Sequence, residues 1–489
     1  MAVKHLQRVP ADARNPFHTL IREQTVVRIP KFTLESGIEM YDIDVAYKTW
    51  GRLDEQGTNC LVICHALTGS ADVTDWWAPL IGPGKAFDIS RFFVVCLNTL
   101  GSPYGSSSPC TYNPETGEIY GPEFPLVSIR DDVSIHKVVL EDLGVRQIAS
   151  VIGGSMGGML TLEWAFMFPD YVRTIVPIAT CARHSAWGIS WGESQRQAIY
   201  SDPKYNDGYY SFDDPPSTGL AAARMSALLT YRSRTSFESR FGRNAADPAK
   251  LKTINGNSSL NTNDDSRSWS PARENWEVHN EGHMMAKRRS QTPSDTSEAS
   301  STHSSSPPSA PVTNDSNTKG SAFPLNRNIG RRARPTQTFS AQSYLRYQGQ
   351  KFVARFDANC YIAMTRKLDT HDVSRGRNFA SVGEALATLT QPALVVGIES
   401  DGLFTFEEQK ELAGHIPNAI LKRIESPEGH DAFLIEFELM NNLVKEFLDA
   451  KLPEIVSREP IAVDDIITSS VKPLIGESDD ESGHEITRW

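Results

Sequence analysis

An α/β fold, a mostly parallel sheet with helices on both faces, is predicted by three features of this chain. Short apolar runs alternate with segments of helical periodicity, and one strand leads into a helix through a glycine-rich turn. The runs at 41–50, 61–64 and 92–97 have the length and β-branched content of buried strands. From 128 to 143, Ile129, Val133, Ile135, Val138, Val139 and Leu143 recur at helical spacing. Ser128 and Asp131 supply an N-terminal cap there, and Gly144 a stop. A strand at 147–152, a helix at 159–168 and a strand at 174–179 follow. Strand and helix alternating in this rhythm build a parallel sheet covered on both sides.

The rhythm stops near Cys181 and resumes with a strand at 393–396, a helix at 405–413, a strand at 419–424 and a helix at 433–448. The stretches 221–229 and 343–368 between them are rich in Ala, Leu, Met, Arg and Gln, which suits helices inserted above the sheet. From 244 to 342 Ser, Asn, Thr, Pro and charge replace nearly all apolar content, too little to offset the entropy of ordering. The expected organisation is an N-terminal extension over 1–30 and a core over 31–182 and 391–453. A helical lid occupies 183–243 and 343–390, a disordered insertion 244–342, and an acidic polar tail 454–489.

With 489 residues and a net charge of −11, the chain shows no basic face, which argues against nucleic acid or an anionic membrane as its main partner. No apolar run reaches the length of a membrane span, and the first twenty residues lack the core of a secretory signal, so a cytoplasmic location is expected. Lys4, Arg8, Arg14 and Arg22 raise a mitochondrial address as an alternative, against which stand Pro10, Asp12 and Pro16. The cysteines Cys60, Cys64, Cys96, Cys110, Cys181 and Cys360 have no metal-ligand spacing and are expected to be buried free thiols, with no metal site.

Chemistry is concentrated in Gly153-Gly154-Ser155-Met156-Gly157-Gly158, between the strand at 147–152 and the helix at 159–168. In a G-x-S-x-G turn the serine stands exposed at the carboxyl edge of a sheet over a helix N-terminus, with glycines letting the chain close around it. A serine hydroxyl needs a general base and a carboxylate that orients the base. In the α/β-hydrolase arrangement the chain order is serine, acid, histidine. Among the histidines after Ser155, His430 alone follows a late strand in a loop, Ser426-Pro427-Glu428-Gly429-His430-Asp431, just before a helix. Asp401 follows the strand at 393–396, where a carboxyl-edge loop carries the acid; Glu399 is the reserve candidate. The oxyanion hole needs an amide from the residue after the nucleophile, Met156, and one from the loop after an early strand, His65-Ala66-Leu67-Thr68-Gly69. Leu67 is the expected donor, and His65 is expected to be structural.

At these motifs the chain resembles the homoserine O-acetyltransferases of the α/β-hydrolase superfamily. The resemblance rests on His65-Ala66-Leu67-Thr68-Gly69, Gly154-Ser155-Met156-Gly157-Gly158-Met159, and Arg224-Met225 with Leu229-Thr230-Tyr231-Arg232-Ser233. It also rests on Ser343-Tyr344-Leu345-Arg346-Tyr347-Gln348-Gly349, Arg355-Phe356-Asp357-Ala358-Asn359 and Gly429-His430-Asp431-Ala432-Phe433, so that it covers about residues 30 to 450 without the polar insertion. It implies an α/β-hydrolase fold with a helical lid and a triad of Ser155, Asp401 and His430. It also implies that Arg224 and Asp431 bind an amino-acid acceptor, that Tyr231 lines its pocket, that acetyl-CoA is co-substrate with no bound cofactor, and that the enzyme is a homodimer. The polar insertion after Arg243 and the stretch Asn98-Thr99-Leu100-Gly101-Ser102-Pro103-Tyr104 resemble the fungal branch, which also holds deacetylcephalosporin C acetyltransferases. That acceptor, a succinyl donor, an ordinary serine esterase and a non-catalytic interaction protein are the alternatives.

Overall fold

The computed structural model describes residues 5–246 and 339–461 and a few positions between them. Most of the expected disordered insertion over 244–342 and most of the acidic tail therefore lie outside the described residues, while Ser340 to Gln342 open a helix. The chain divides into a unit of residues 1–242 and 344–489 and a second unit of residues 243–343, in which Ala245 and Phe339 form an antiparallel bridge. The sheet and the site lie within the first unit.

The sheet contains β1 (Gln7–Val9), β2 (Thr25–Thr33), β3 (Glu39–Trp50), β4 (Cys60–Cys64), β5 (Phe93–Leu97), β6 (Ile148–Gly154), β7 (Ile175–Ile178), β8 (Ala393–Ile398) and β9 (Ala419–Ile424). They lie side by side in the order β1-β2-β3-β5-β4-β6-β7-β8-β9. From β5 to β9 every pairing is parallel, whereas β1, β2 and β3 join antiparallel at one end. Side chains on a strand alternate between faces. On β4, Cys60, Val62 and Cys64 join a core with Val133, Val139 and Leu160, while Leu61 and Ile63 join the opposite core with Val444, Phe447 and Leu448. Helices Ile129–Asp142 and Met156–Met167 thus cover one face, and Phe437–Lys451 the other. The first carries the expected cap: Ser128 Oγ accepts from Asp131 N, and the Asp131 carboxylate accepts from Ser128 N at 2.8 Å.

Residues 1–30 differ from expectation. They supply β1 and most of β2, and β2 pairs with β3 from Thr25↔Tyr47 to Thr33↔Glu39. Pro30 and the flanking charges mask the strand pattern in the sequence. Proline is tolerated because β1 pairs only with Val26, Val27 and Arg28, so Pro30 sits beyond the end of β1. The helical stretch expected over 343–368 consists of two helices, Ser340–Val353 and Ala358–Asp369. They are broken where Asp357 turns extended and accepts from Cys360 N at 2.9 Å.

The chain leaves the sheet after β7 and returns at β8. Between them run helices Ala186–Tyr200, Ser217–Tyr231, Arg234–Arg240, Ser340–Val353 and Ala358–Asp369. Tyr104, Phe352, Phe356, Cys360 and Tyr361 form a separate apolar cluster there. All six cysteines are buried and unbridged. Cys110 and Cys360 place their sulfurs 3.5 Å apart beside Asp357. These are metal-ligand residue types, but the Asp357 oxygens already serve as a helix cap and as acceptor for Tyr210 Oη at 2.7 Å, and burial pushes the Cys360 thiol up to about 11. Among the described residues, no helix is long and apolar enough to cross a membrane.

Candidate active site

β6 ends at Gly154, the helix Met156–Met167 starts two residues on, and Ser155 between them makes the turn with φ 59° and ψ −124°. A non-glycine residue held at positive φ costs on the order of 1–3 kcal/mol, so its surroundings must enforce it. They do: Ser155 N donates to Ile178 O of β7 at 3.0 Å, and Ser155 O accepts from Gly158 N at 2.9 Å and from Thr180 Oγ1 at 2.8 Å. Two flanking glycines are steric necessities. A Cβ on Gly157 would lie 2.1 Å from Cys64 O, and one on Gly154 would lie 2.5 Å from the Phe433 ring. The serine is 8% exposed and opens into a cavity.

That cavity is lined by Leu67, Ser155, Arg224, Tyr231, His430 and Asp431. Six of the expected site residues, drawn from the sheet edge and from the helical insertion, therefore share one space. Asp401 stands behind His430, and Met156 is fully buried at the first turn of the elbow helix.

His430 Nδ1 bonds Asp401 Oδ2 at 2.7 Å. The other carboxylate oxygen accepts from Leu403 N at 2.8 Å and Phe404 N at 3.0 Å, so the acid is fixed from both sides. The imidazole is enclosed by Phe404, Phe433 and Tyr231, with ring centroids 5.3, 5.4 and 6.1 Å away. Burial disfavours the imidazolium, but the carboxylates of Asp401, first among them, and of Asp431 and Glu408 together outweigh it and hold the His430 pKa above its ordinary value. Glu399 is elsewhere: it is exposed and 3.6 Å from Arg423.

The turn expected to supply an oxyanion donor follows β4. Gly69 N donates to Ala66 O at 2.9 Å, which puts Leu67 at the tip. His65 is fully buried beneath it; Nε2 accepts from Thr99 N at 3.0 Å and Nδ1 lies 2.8 Å from Ala66 O. This pairing requires the neutral ring protonated at Nδ1, and burial pulls its pKa down to about 4. His65 is thus held as a structural group.

Arg224, on the helix Ser217–Tyr231, is 1% exposed, and neither Nη1 nor Nη2 has a hydrogen-bond partner. Its guanidinium lies over the rings of Phe352 and Tyr231 at 4.8 and 5.4 Å. Asp431 Oδ2 is 3.2 Å from Arg232 Nε. Burial raises the Asp431 carboxyl pKa despite Arg232, His430 and Arg224 nearby. Arg232 also pairs with Glu428, which accepts from Ser236 Oγ at 2.7 Å, tying the insertion to the histidine loop. Arg232 had no role assigned from sequence, although it lies in one of the matched motifs. Trp191 and Gln195 also line the cavity; their spacing on the helix Ala186–Tyr200 was the only signal for them.

The alpha/beta hydrolase fold family matches residues 59–437 of the chain. A homoserine O-acetyltransferase of Emericella nidulans is 59% identical over 498 residues, covering 99% of this chain and 98% of the relative. That of Ascobolus immersus is 55% identical over 520 residues, again covering 99% and 98%. The crystal structure of a homoserine O-acetyltransferase from Bacillus anthracis superposes with a TM-score of 0.65 at 20% identity, covering 87% of this chain and 97% of that one, and speaks for the fold alone. By its near-full-length identity to these fungal relatives, the chain belongs to the homoserine O-acetyltransferase family.

Proposed function

We propose that this enzyme moves an acetyl group from acetyl-CoA to the hydroxyl of L-homoserine through an acetyl-Ser155 intermediate. The observation that carries the reading is Arg224: a buried guanidinium with two unpartnered nitrogens, in the same cavity as Ser155 and His430. A hydrolase needs no such group, whereas an amino-acid acceptor presents a carboxylate that fits its planar fork.

In the first half-reaction His430 Nε2 takes the Ser155 proton as Oγ adds to the thioester carbonyl. The oxyanion is met by the amides of Met156 and Leu67. Collapse breaks the C–S bond, and the thiolate leaves as CoA with the proton from His430. In the second half the homoserine hydroxyl gives its proton to His430, its oxygen adds to the acetyl carbon, and the proton returns to Ser155 Oγ as the acyl bond breaks. Asp401 holds the tautomer and stabilises the imidazolium in both halves. Arg224 binds the acceptor carboxylate, Asp431 faces its ammonium, and Tyr231 walls the pocket. Water loses the competition because both ends of the acceptor are fixed beside the acyl-serine. The helices between β7 and β8 act as the lid. No resident cofactor or metal enters any step, and the enzyme works in the cytosol as a homodimer, for which sedimentation is the check.

A matrix of donors and acceptors tests this function. Acetyl-CoA with homoserine is expected to give O-acetylhomoserine and sustained CoA release, and acetyl-CoA alone a single-turnover burst. Equal CoA release with and without homoserine would establish a hydrolase instead. Preference for succinyl-CoA or deacetylcephalosporin C would reassign donor or acceptor.

A further inference from the structure

We propose that Arg355 is a positioning residue for the oxyanion hole, gripping from the helical insertion the turn whose tip carries the Leu67 amide. The inference rests on the reading of Leu67 as an oxyanion donor.

Arg355 sits at the break between helices Ser340–Val353 and Ala358–Asp369, is 7% exposed, and does not itself line the cavity. Its Nη1 donates to Thr68 O at 3.3 Å, one residue past Leu67. The same nitrogen donates to Tyr104 Oη at 3.1 Å, and that hydroxyl donates back to Arg355 O at 2.8 Å. Tyr104, fully buried, therefore ties both the backbone and the side chain of Arg355. Phe352 lies under the guanidinium at 4.9 Å. The turn is consequently held at two carbonyls, Ala66 O by His65 from within the core and Thr68 O by Arg355 from the insertion.

The second hold has a chemical purpose. An oxyanion donor contributes only if it is aimed before charge develops, because turning a peptide during the reaction cancels the gain. A turn tip anchored at one carbonyl can still rock about that anchor; anchored at two it cannot. Burial lowers the Arg355 pKa, with neighbouring Arg224 adding to the effect, and Nη2 has no hydrogen-bond partner. A cation placed at such cost, away from the cavity wall, acts through the groups it touches, and of these Thr68 O belongs to the turn.

The test compares Arg355→Met, Arg355→Lys and Tyr104→Phe with the wild type in the full chain. Ser155 acetylation is followed from both acetyl-CoA and p-nitrophenyl acetate, together with affinity for an alkylboronic acid that forms a tetrahedral adduct at the serine. Loss of one oxyanion donor costs about 10²–10³ in rate. Misplacing one is expected to slow acylation from both donors by about 10- to 100-fold for Arg355→Met, with a parallel loss of boronate affinity and an unchanged KM for homoserine. Arg355→Lys, which keeps one donor, is expected to recover most of the rate, and Tyr104→Phe to fall between. Acylation within about twofold of wild type in folded Arg355→Met, or a loss confined to the homoserine KM, overturns the proposal. If Arg355→Met does not fold, Tyr104→Phe decides by the same criteria. Absence of acetylation in the wild type would instead fail the reading of the site, so the two failures are separable.

Discussion

The two walls of the cavity are built on opposite terms. On the sheet side, Asp401 accepts three hydrogen bonds, His430 is clamped between that carboxylate and three aromatic rings, and the Ser155 backbone is tied to β7. On the insertion side, Arg224 is as buried as any of them and two of its nitrogens bond to nothing. A buried donor left unsatisfied costs on the order of 1–3 kcal/mol, more when charged. One wall is therefore complete before any substrate arrives, and the other becomes complete only with an anion in place. On the proposed reading, acyl chemistry belongs to the first wall, and the acceptor carboxylate is taken by the second.

The largest break in this contrast is on the sheet side. Ser155→Ala is expected to lower kcat by about 10⁶, and Asp401→Asn by about 10⁴, for acetyl-CoA and simple esters alike. Intact-mass detection of acetyl-enzyme checks both, and an unaffected Asp401→Asn would remove that carboxylate from the mechanism. Arg224→Met is expected to behave differently: the acetyl burst survives, while kcat/KM for homoserine falls by about 10²–10³, as for removal of one partner from a desolvated charge pair. Its thermal midpoint should stay level or rise, because an unpaired cation has been withdrawn from the interior. A falling midpoint would mean that Arg224 holds the fold together.

Smaller effects sharpen the sheet side. Gly157→Ala sets a methyl against the Cys64 carbonyl, a backbone atom with no rotamer to give, so the variant should lose more stability than Gly154→Ala, where the Phe433 ring can shift. Overpacking of this kind costs about 1–3 kcal/mol, read by thermal melting. The pH profile is the finest probe. Because Asp401 raises the His430 pKa, the free base is lost as pH falls through a value above about 6.5, the ordinary imidazole midpoint. The acid limb of kcat/KM should lie above that value and move to lower pH in Asp401→Asn. An unmoved limb would assign the titration to another group.

The sheet side was largely legible from sequence because its signals are local. Ser155 is bracketed by glycines at fixed offsets, and Asp401 and His430 each follow an apolar run that reads as a strand. The insertion side was not. Arg224 and Tyr231 came from a family resemblance, since an arginine on a helix is ordinary, and the feature that distinguishes this one, burial without a partner, exists only after folding. Arg232 and Arg355 stood in matched motifs without a role, because their partners Asp431 and Thr68 are distant in sequence. The strand Thr25–Thr33 was missed for the opposite reason: its local pattern is interrupted by Pro30, and pairing with β3 overrides it.

One consequence follows from where the insertion joins the sheet. Ile175 pairs with Ala393 and Ile178 with Val396 in parallel, so the chain departs at the carboxyl end of β7 and returns at the amino end of its neighbour β8, on the order of 10 Å away. Whatever is threaded between them, short or long, starts and ends at the same two fixed posts. A lineage can lengthen that segment and try new acceptors while Ser155, Asp401 and His430 stay on the sheet, so long as the grips of Arg232 on Glu428 and of Arg355 on Thr68 are kept.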